Sequence, residues 1–122
     1  MLNLNSIMLG SEDPQKLAKF YEEVLQSKPG WQDNGYIGFQ AGACYLTVGP
    51  HDKVKGKSPN PERILFFFET KDVDAEFDRI KAIDGVEVIQ APYHPGPNAE
   101  GTLATLADPD GNYFQLNTPF EM

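Results

Sequence analysis

The strongest constraint on the fold is that the chain repeats its own plan. Ser6-Ile7-Met8-Leu9 lies over Leu65-Phe66-Phe67-Phe68 at an offset of 59 residues, and the same offset sets Asp13 over Asp72, each placed to cap a helix. Near the end of each half, Gly42 to Pro50 lies over Gly111 to Pro119 at an offset of 69, leaving ten extra residues in the second half between helix and last strand. That insertion is visible in Ala91-Pro92-Tyr93-His94-Pro95-Gly96-Pro97-Asn98, a Pro- and Gly-rich stretch that reads as a long loop. The 122 residues are one domain's worth of length. The prediction is a single domain over 1–122, made of a module 1–50, a linker 51–62 and a module 63–122.

Each half reads strand, helix, strand, strand, strand, which makes the fold class α+β. In the first half, Leu4 to Leu9 is a strand with Ile7 and Leu9 on one face and Ser6 and Met8 on the other. A helix opens at Asp13-Pro14, and Leu17, Phe20, Tyr21, Val24 and Leu25 recur at helical spacing on one face, with Gly30 following. A weak strand precedes two clearer ones, Tyr36 to Phe39 and Cys44 to Val48, joined by a tight turn at Gln40 to Gly42. In the second half, Arg63 to Thr70 is a strand. A helix opens at Asp72 with Val73, Phe77, Ile80 and Ile83 inward and Gly85 as its terminator. Val86 to Ile89, Thr102 to Leu106 and Tyr113 to Asn117 complete the set.

Charge and composition narrow the function. Ten basic residues face 18 acidic ones, a net charge of −8, and the densest basic run is only Lys53, Lys55 and Lys57. Phosphate binding needs a clustered basic surface, so nucleic acid is excluded as a partner. No run of 18 apolar residues exists to span a membrane, and Met1 to Gly10 lacks the basic start and cleavage site of a signal peptide. A single cysteine, Cys44, makes no disulfide within the chain, and the expected compartment is the cytoplasm. The acidity suits a cationic ligand, or serves solubility alone.

Asp108-Pro109-Asp110-Gly111-Asn112 has the preferences of a type I turn: Asp first, Pro second, Gly fourth. A calcium loop fails, because the glycine comes too early and Pro119 stands where the bidentate glutamate would fall. With this turn, the ordered set of Asp13-Pro14 through Phe20-Tyr21-Glu22-Glu23-Val24-Leu25, Asp72-Val73-Asp74-Ala75 and Asp108 through Leu116 resembles the vicinal oxygen chelate superfamily, which takes in glyoxalases, bleomycin-resistance proteins and extradiol dioxygenases. The resemblance covers nearly the whole chain. It implies two βαβββ modules whose curled mixed sheets surround a cavity, usually completed in a homodimer. Members share a fold and not one reaction, so function rests on the site.

Active members hold a divalent metal on the first and last strands of each module, usually through His, Glu or Gln. Carried over, those positions are Ser6 and Leu65 on the first strands and Leu46 and Gln115 on the last. Two leucines ligate nothing, and metal sites of this kind want imidazole, thiolate or carboxylate at several positions. Sliding by one residue offers Asn5 or Ile7, Ile64 or Phe66, Tyr45 or Thr47, and Phe114 or Leu116, which is no better. The expectation is no metal at these positions and no cofactor. His51 and His94 sit in Pro-rich loops with no ligand spacing between them or to Cys44.

A consistent pleat puts Ser6, Met8, Cys44, Leu46, Val48, Leu65, Phe67, Tyr113 and Gln115 on the cavity face. Ile7, Leu9, Phe66, Phe68, Phe114 and Leu116 then pack under the helices. Trp31 and the inserted-loop residues Tyr93 and His94 join the cavity set, with aromatic faces suited to a flat cationic guest. Three functions stay open: a metal-free protein that binds a partly aromatic small molecule; a glyoxalase- or dioxygenase-like lyase or oxidoreductase with a non-standard site using Tyr113, Gln115 and His94; and a purely structural or partner-binding module.

Overall fold

Both helices begin where a carboxylate holds the first turn. In the computed structural model, which describes residues 1–96 and 101–119, helix α1 (Pro14–Leu25) is capped by Asp13, whose Oδ1 accepts the Lys16 N–H at 3.2 Å. Helix α2 (Val73–Ile80) is capped by Asp72, whose Oδ1 accepts the Ala75 N–H at 3.1 Å. Each capping residue is held by a hydroxyl two positions earlier. Ser11 Oγ accepts the Asp13 N–H at 3.0 Å and Thr70 Oγ1 accepts the Asp72 N–H at 3.2 Å. The repeat thus extends to the residues that support the caps. The helices end differently. Gln26 turns left-handed (φ 51°) at the end of α1. After α2 the chain tightens through Ile83 N–H to Ile80 O and Val86 N–H to Ile83 O before Gly85 turns it at φ 93°.

The chain divides into two compact units, Met1–Gly56 and Lys57–Met122. The segment 51–62 is shared between them. Gly56 N–H donates to Glu12 Oε1 at 3.0 Å in the first unit, and Ser58 N–H donates to Asp110 O at 2.8 Å in the second.

The first unit's sheet contains β1 (Ser6–Ser11), β2 (Trp31–Asp33), β3 (Tyr36–Ala41) and β4 (Cys44–Pro50), in the order β1-β4-β3-β2. The second unit's sheet contains β5 (Phe66–Glu69), β6 (Glu87–Tyr93), β7 (Leu103–Ala107) and β8 (Tyr113–Asn117), in the order β5-β8-β7-β6. In each, the first and last strands pair parallel and the other neighbours antiparallel. The fold is α+β, two βαβββ modules with open mixed sheets.

Packing follows the helix faces. Leu17, Phe20, Tyr21 and Val24 of α1 are buried with Ile37, Phe39, Leu46 and Val48 of β3 and β4. Val73, Phe77 and Ile80 of α2 are buried with Ala104, Leu106, Phe114 and Leu116. Phe66, Phe68 and Phe114 form a ring cluster with centroids 5.7–6.1 Å apart, each pair adding about 0.5–1.5 kcal/mol beyond its buried area.

Several boundaries depart from expectation. The strand expected over Arg63–Thr70 starts only at Phe66, because Arg63 N–H closes a turn on Asn60 O. The strand expected over Val86–Ile89 continues to Tyr93, so Ala91, Pro92 and Tyr93 are strand and not loop. β6 is an edge strand with two register shifts, where a proline's missing N–H is tolerated. Pro97 and Asn98 of the expected loop lie outside the described residues. The weak strand before Tyr36 is β2, joined to β3 through Asn34-Gly35 with φ of 52° and 86°. Two successive left-handed residues are the hairpin turn whose twist suits the strands.

The turn after β7 is held from inside. Asp108 is buried, and its Oδ1 accepts the N–H groups of Asp110 (2.9 Å) and Asn112 (3.0 Å), while the Asn112 amide reaches both carboxylate oxygens. Asp108→Ala should lower unfolding free energy by about 2–3 kcal/mol, because several donors lose their acceptor in a dry site. Asp13→Ala and Asp72→Ala should each cost about 1 kcal/mol. Urea denaturation midpoints of the three variants check the order.

Candidate functional site

The face of each sheet turned away from its helix carries the candidate site, and ladder register decides which residues stand on it. Directly paired residues share a face, and each successive residue switches face. In the first unit Ile7 pairs with Leu46, and Leu9 with Val48. Leu46 (3% exposed) and Val48 are therefore core residues beneath α1. This corrects the pleat read from sequence, which set Cys44, Leu46 and Val48 beside Ser6 and Met8. The residues that do stand beside Ser6 and Met8 are Tyr45 and Thr47. The error came from aligning Gly42 with Gly111. The β3–β4 turn spans two residues between Ala41 and Cys44, whereas Asp108–Asn112 spans five between Ala107 and Tyr113. With the caps at an offset of 59, Met8 matches Phe67, and their partners Thr47 and Gln115 match at an offset of 68, not 69.

Corrected in this way, the two units present the same rung across all four strands. In the first it reads Met8, Thr47, Gly38, Trp31. In the second it reads Phe67, Gln115, Thr105, Gln90. A neighbouring rung of the second sheet reads Glu69, Asn117, Leu103, Tyr93. Of the expected ligand-binding residues, Ser6, Met8 and Trp31 thus share the open face of the first sheet. Phe67, Tyr93, Tyr113 and Gln115 share that of the second. Cys44 and Leu46 lie on the helix side of the first sheet. Leu65 precedes β5 and is half-buried. His94 is exposed beyond β6, its Nδ1 2.9 Å from Gly101 O.

Met8, Trp31, Tyr45 and Phe67 are each close to half exposed. Trp31 lies over Gly38, where a Cβ would run into the indole, and Tyr36 lies over Gly49 in the same way. The glycines make room for flat rings against the backbone. The second sheet is more polar and drier. Thr105, Gln115 (9% exposed) and Asn117 (1% exposed) are buried on its open face, and Gln115 Oε1 and Asn117 Oδ1 have no hydrogen-bond partner among the described residues. Sequence reasoning missed Tyr45, Thr47, Thr105, Asn117 and Glu69. A period of two from Gln115 leads to Asn117, and the alternation Tyr45-Leu46-Thr47-Val48 already marks Leu46 and Val48 as the inward pair.

The donor set does not fit a divalent metal. The first- and last-strand residues on the open faces include Ser6, Met8, Tyr45, Thr47, Phe67, Tyr113 and Gln115, with no imidazole or thiolate, and Glu69 is exposed at the strand end. Among the described residues no three His, Cys, Asp or Glu side chains come together. His51 Nδ1 accepts the Lys53 N–H at 3.1 Å within its own loop, and Cys44 is half-buried.

Residues 3–116 match the model of the Glyoxalase/Bleomycin resistance protein/Dioxygenase superfamily, and the chain belongs to that family. No curated protein matches the sequence. Among solved structures, a glyoxalase-related enzyme from Fulvimarina pelagi superposes with a TM-score of 0.79 at 20% identity, over 98% of this chain and 89% of that one. A genomically encoded fosfomycin resistance protein from Listeria monocytogenes gives 0.68 at 20%, over 98% and 93%. A lactoylglutathione lyase from Agrobacterium tumefaciens gives 0.72 at 20%, over 95% and 92%. At these identities the likeness is one of fold. No helix among the described residues is long and apolar enough to cross a membrane.

Gly38→Val should push the Trp31 indole off the sheet. Trp31 is the only tryptophan, so the intrinsic emission maximum should move to the red, while Gly96→Ala, which adds a methyl to open space, should leave it unchanged.

Proposed function

We propose that this chain is a metal-free small-molecule-binding protein of the bleomycin-resistance type, which holds a partly aromatic, cationic ligand and works as a homodimer in the cytoplasm, with neither nucleic acid nor membrane as partner. The observation that carries the reading is the donor set just described: an intact family fold whose metal-bearing strand positions hold hydroxyl, thioether, phenyl, phenol and amide groups. Such a face suits ligand surface better than a divalent cation. Half-exposed Met8, Trp31 and Tyr45 on the first sheet, and Phe67 on the second, offer apolar and aromatic contact, and the net charge of −8 favours a cation.

The alternative, a glyoxalase- or dioxygenase-like lyase or oxidoreductase, would need Tyr113, Gln115 and His94 to act on one substrate. Tyr113 and Gln115 share a face, whereas His94 lies past the end of β6, off the rungs that carry them. The binding reading therefore has the stronger support.

Native mass spectrometry with elemental analysis, on protein purified without chelator, tests the proposal. The expected result is a dimer with substoichiometric zinc, iron, nickel and manganese. A stoichiometric metal bound through the open-face positions would overturn it. Turnover that depends on added metal and is lost in His94→Ala would favour the enzyme instead.

A further inference from the structure

We propose that the open face of the second sheet seats a planar cation rich in N–H donors, an amidinium or guanidinium carried on an aromatic ligand, with Gln115 Oε1 and Asn117 Oδ1 as acceptors and Glu69 as counter-charge. This rests on the binding reading above and specifies the chemistry of its ligand.

The argument starts from two orphaned oxygens. Gln115 and Asn117 are nine-tenths buried or more, and Oε1 of the one and Oδ1 of the other have no partner among the described residues. Native proteins seldom bury an acceptor without a donor, because it loses its water and gains nothing. The Asn117 amide is fixed in orientation: its Nδ2 donates to Thr118 O at 2.7 Å, so its oxygen is the atom left over. Gln115 and Asn117 are two positions apart on β8, so their backbones stand about 6.6 Å apart on one face. A group that satisfies both must present N–H donors in two directions, as amidinium and guanidinium do. An anionic or acceptor-only group would meet oxygen with oxygen.

Charge and rings agree with that choice. Glu69 pairs with Asn117 across the β5–β8 ladder, which puts a carboxylate on the same face about 4.8 Å away at the backbone. Phe67 pairs with Gln115 on one side, and Tyr93 closes the Asn117 rung on the other. Both rings are partly exposed, so the acceptor row is flanked by aromatic surface at both edges of the sheet. A flat cation gains from ring faces as well as from the carbonyls.

Benzamidine is the probe, with benzoate and acetophenone as matched rings that lack the N–H donors, all measured by calorimetry and thermal shift in the presence of a chelator. Benzamidine should bind at least tenfold more tightly than either control. Gln115→Met should weaken benzamidine about tenfold while melting temperature holds or rises, because the variant removes an unsatisfied acceptor. Gln115→Glu should tighten benzamidine and steepen its salt dependence. Equal binding of benzamidine and acetophenone, unaffected by Gln115→Met, would overturn this inference and leave the binding reading standing. A fall in melting temperature in Gln115→Met would also overturn it, since the oxygen would then have a structural partner. If no aromatic probe shifts melting at all, the inference and the binding reading fall together.

Discussion

The parallel pairing of first and last strand in each unit is the interaction on which the other features depend. Ile7 beside Leu46 and Phe66 beside Phe114 set which half of every strand lies under the helix and which half faces away. Once those pairs form, the antiparallel partners follow in step: Phe39 with Leu46, Leu106 with Phe114. The helix then covers a continuous apolar surface, and the polar and aromatic residues share the other face. A slip of one residue in this single pairing would bury Thr47 and expose Leu46, an exchange costly enough to make the register unique.

The second unit shows how an insertion is absorbed without disturbing that pairing. Its extra residues fall in a lengthened, twice-shifted edge strand β6, in a nine-residue connection between Tyr93 and Leu103 where the first unit uses two residues, and in a turn three residues longer than its counterpart. None of these changes touches the β5–β8 ladder. The buried Asp108 carboxylate organises the longer turn and delivers Tyr113 into β8 in phase. That phase puts Gln115 and Asn117 on the open face, so the acceptor row depends on the geometry of the turn before it.

Much of this was legible from the residues. Asp13 and Asp72 marked both helix starts because a short carboxylate followed by a helical apolar face is a local signal. The face of α1 was read correctly for the same reason, since all its contacts repeat within one short segment. That the four carried-over positions, Ser6, Leu46, Leu65 and Gln115, hold no imidazole, thiolate or carboxylate was also visible. The phase of β4 was not. The two turn glycines, Gly42 and Gly111, are left-handed residues in turns of different length, and matching them moved Leu46 to the wrong face. The continuation of β6 through Pro92 was hidden because proline reads as a breaker unless the strand is known to lie at an edge.

The sequence by itself determined the duplicated βαβββ plan and the family. These follow from residue types and short-range spacing, which need no knowledge of what lies opposite. Only the tertiary structure decided that Tyr45 and Thr47, not Leu46, stand beside Ser6 and Met8. It alone brought Glu69, Asn117, Leu103 and Tyr93 onto one rung. The reason is that a strand's side chains alternate with a period of two, so the face each one takes depends on a partner dozens of residues away and on the length of the turn that leads there.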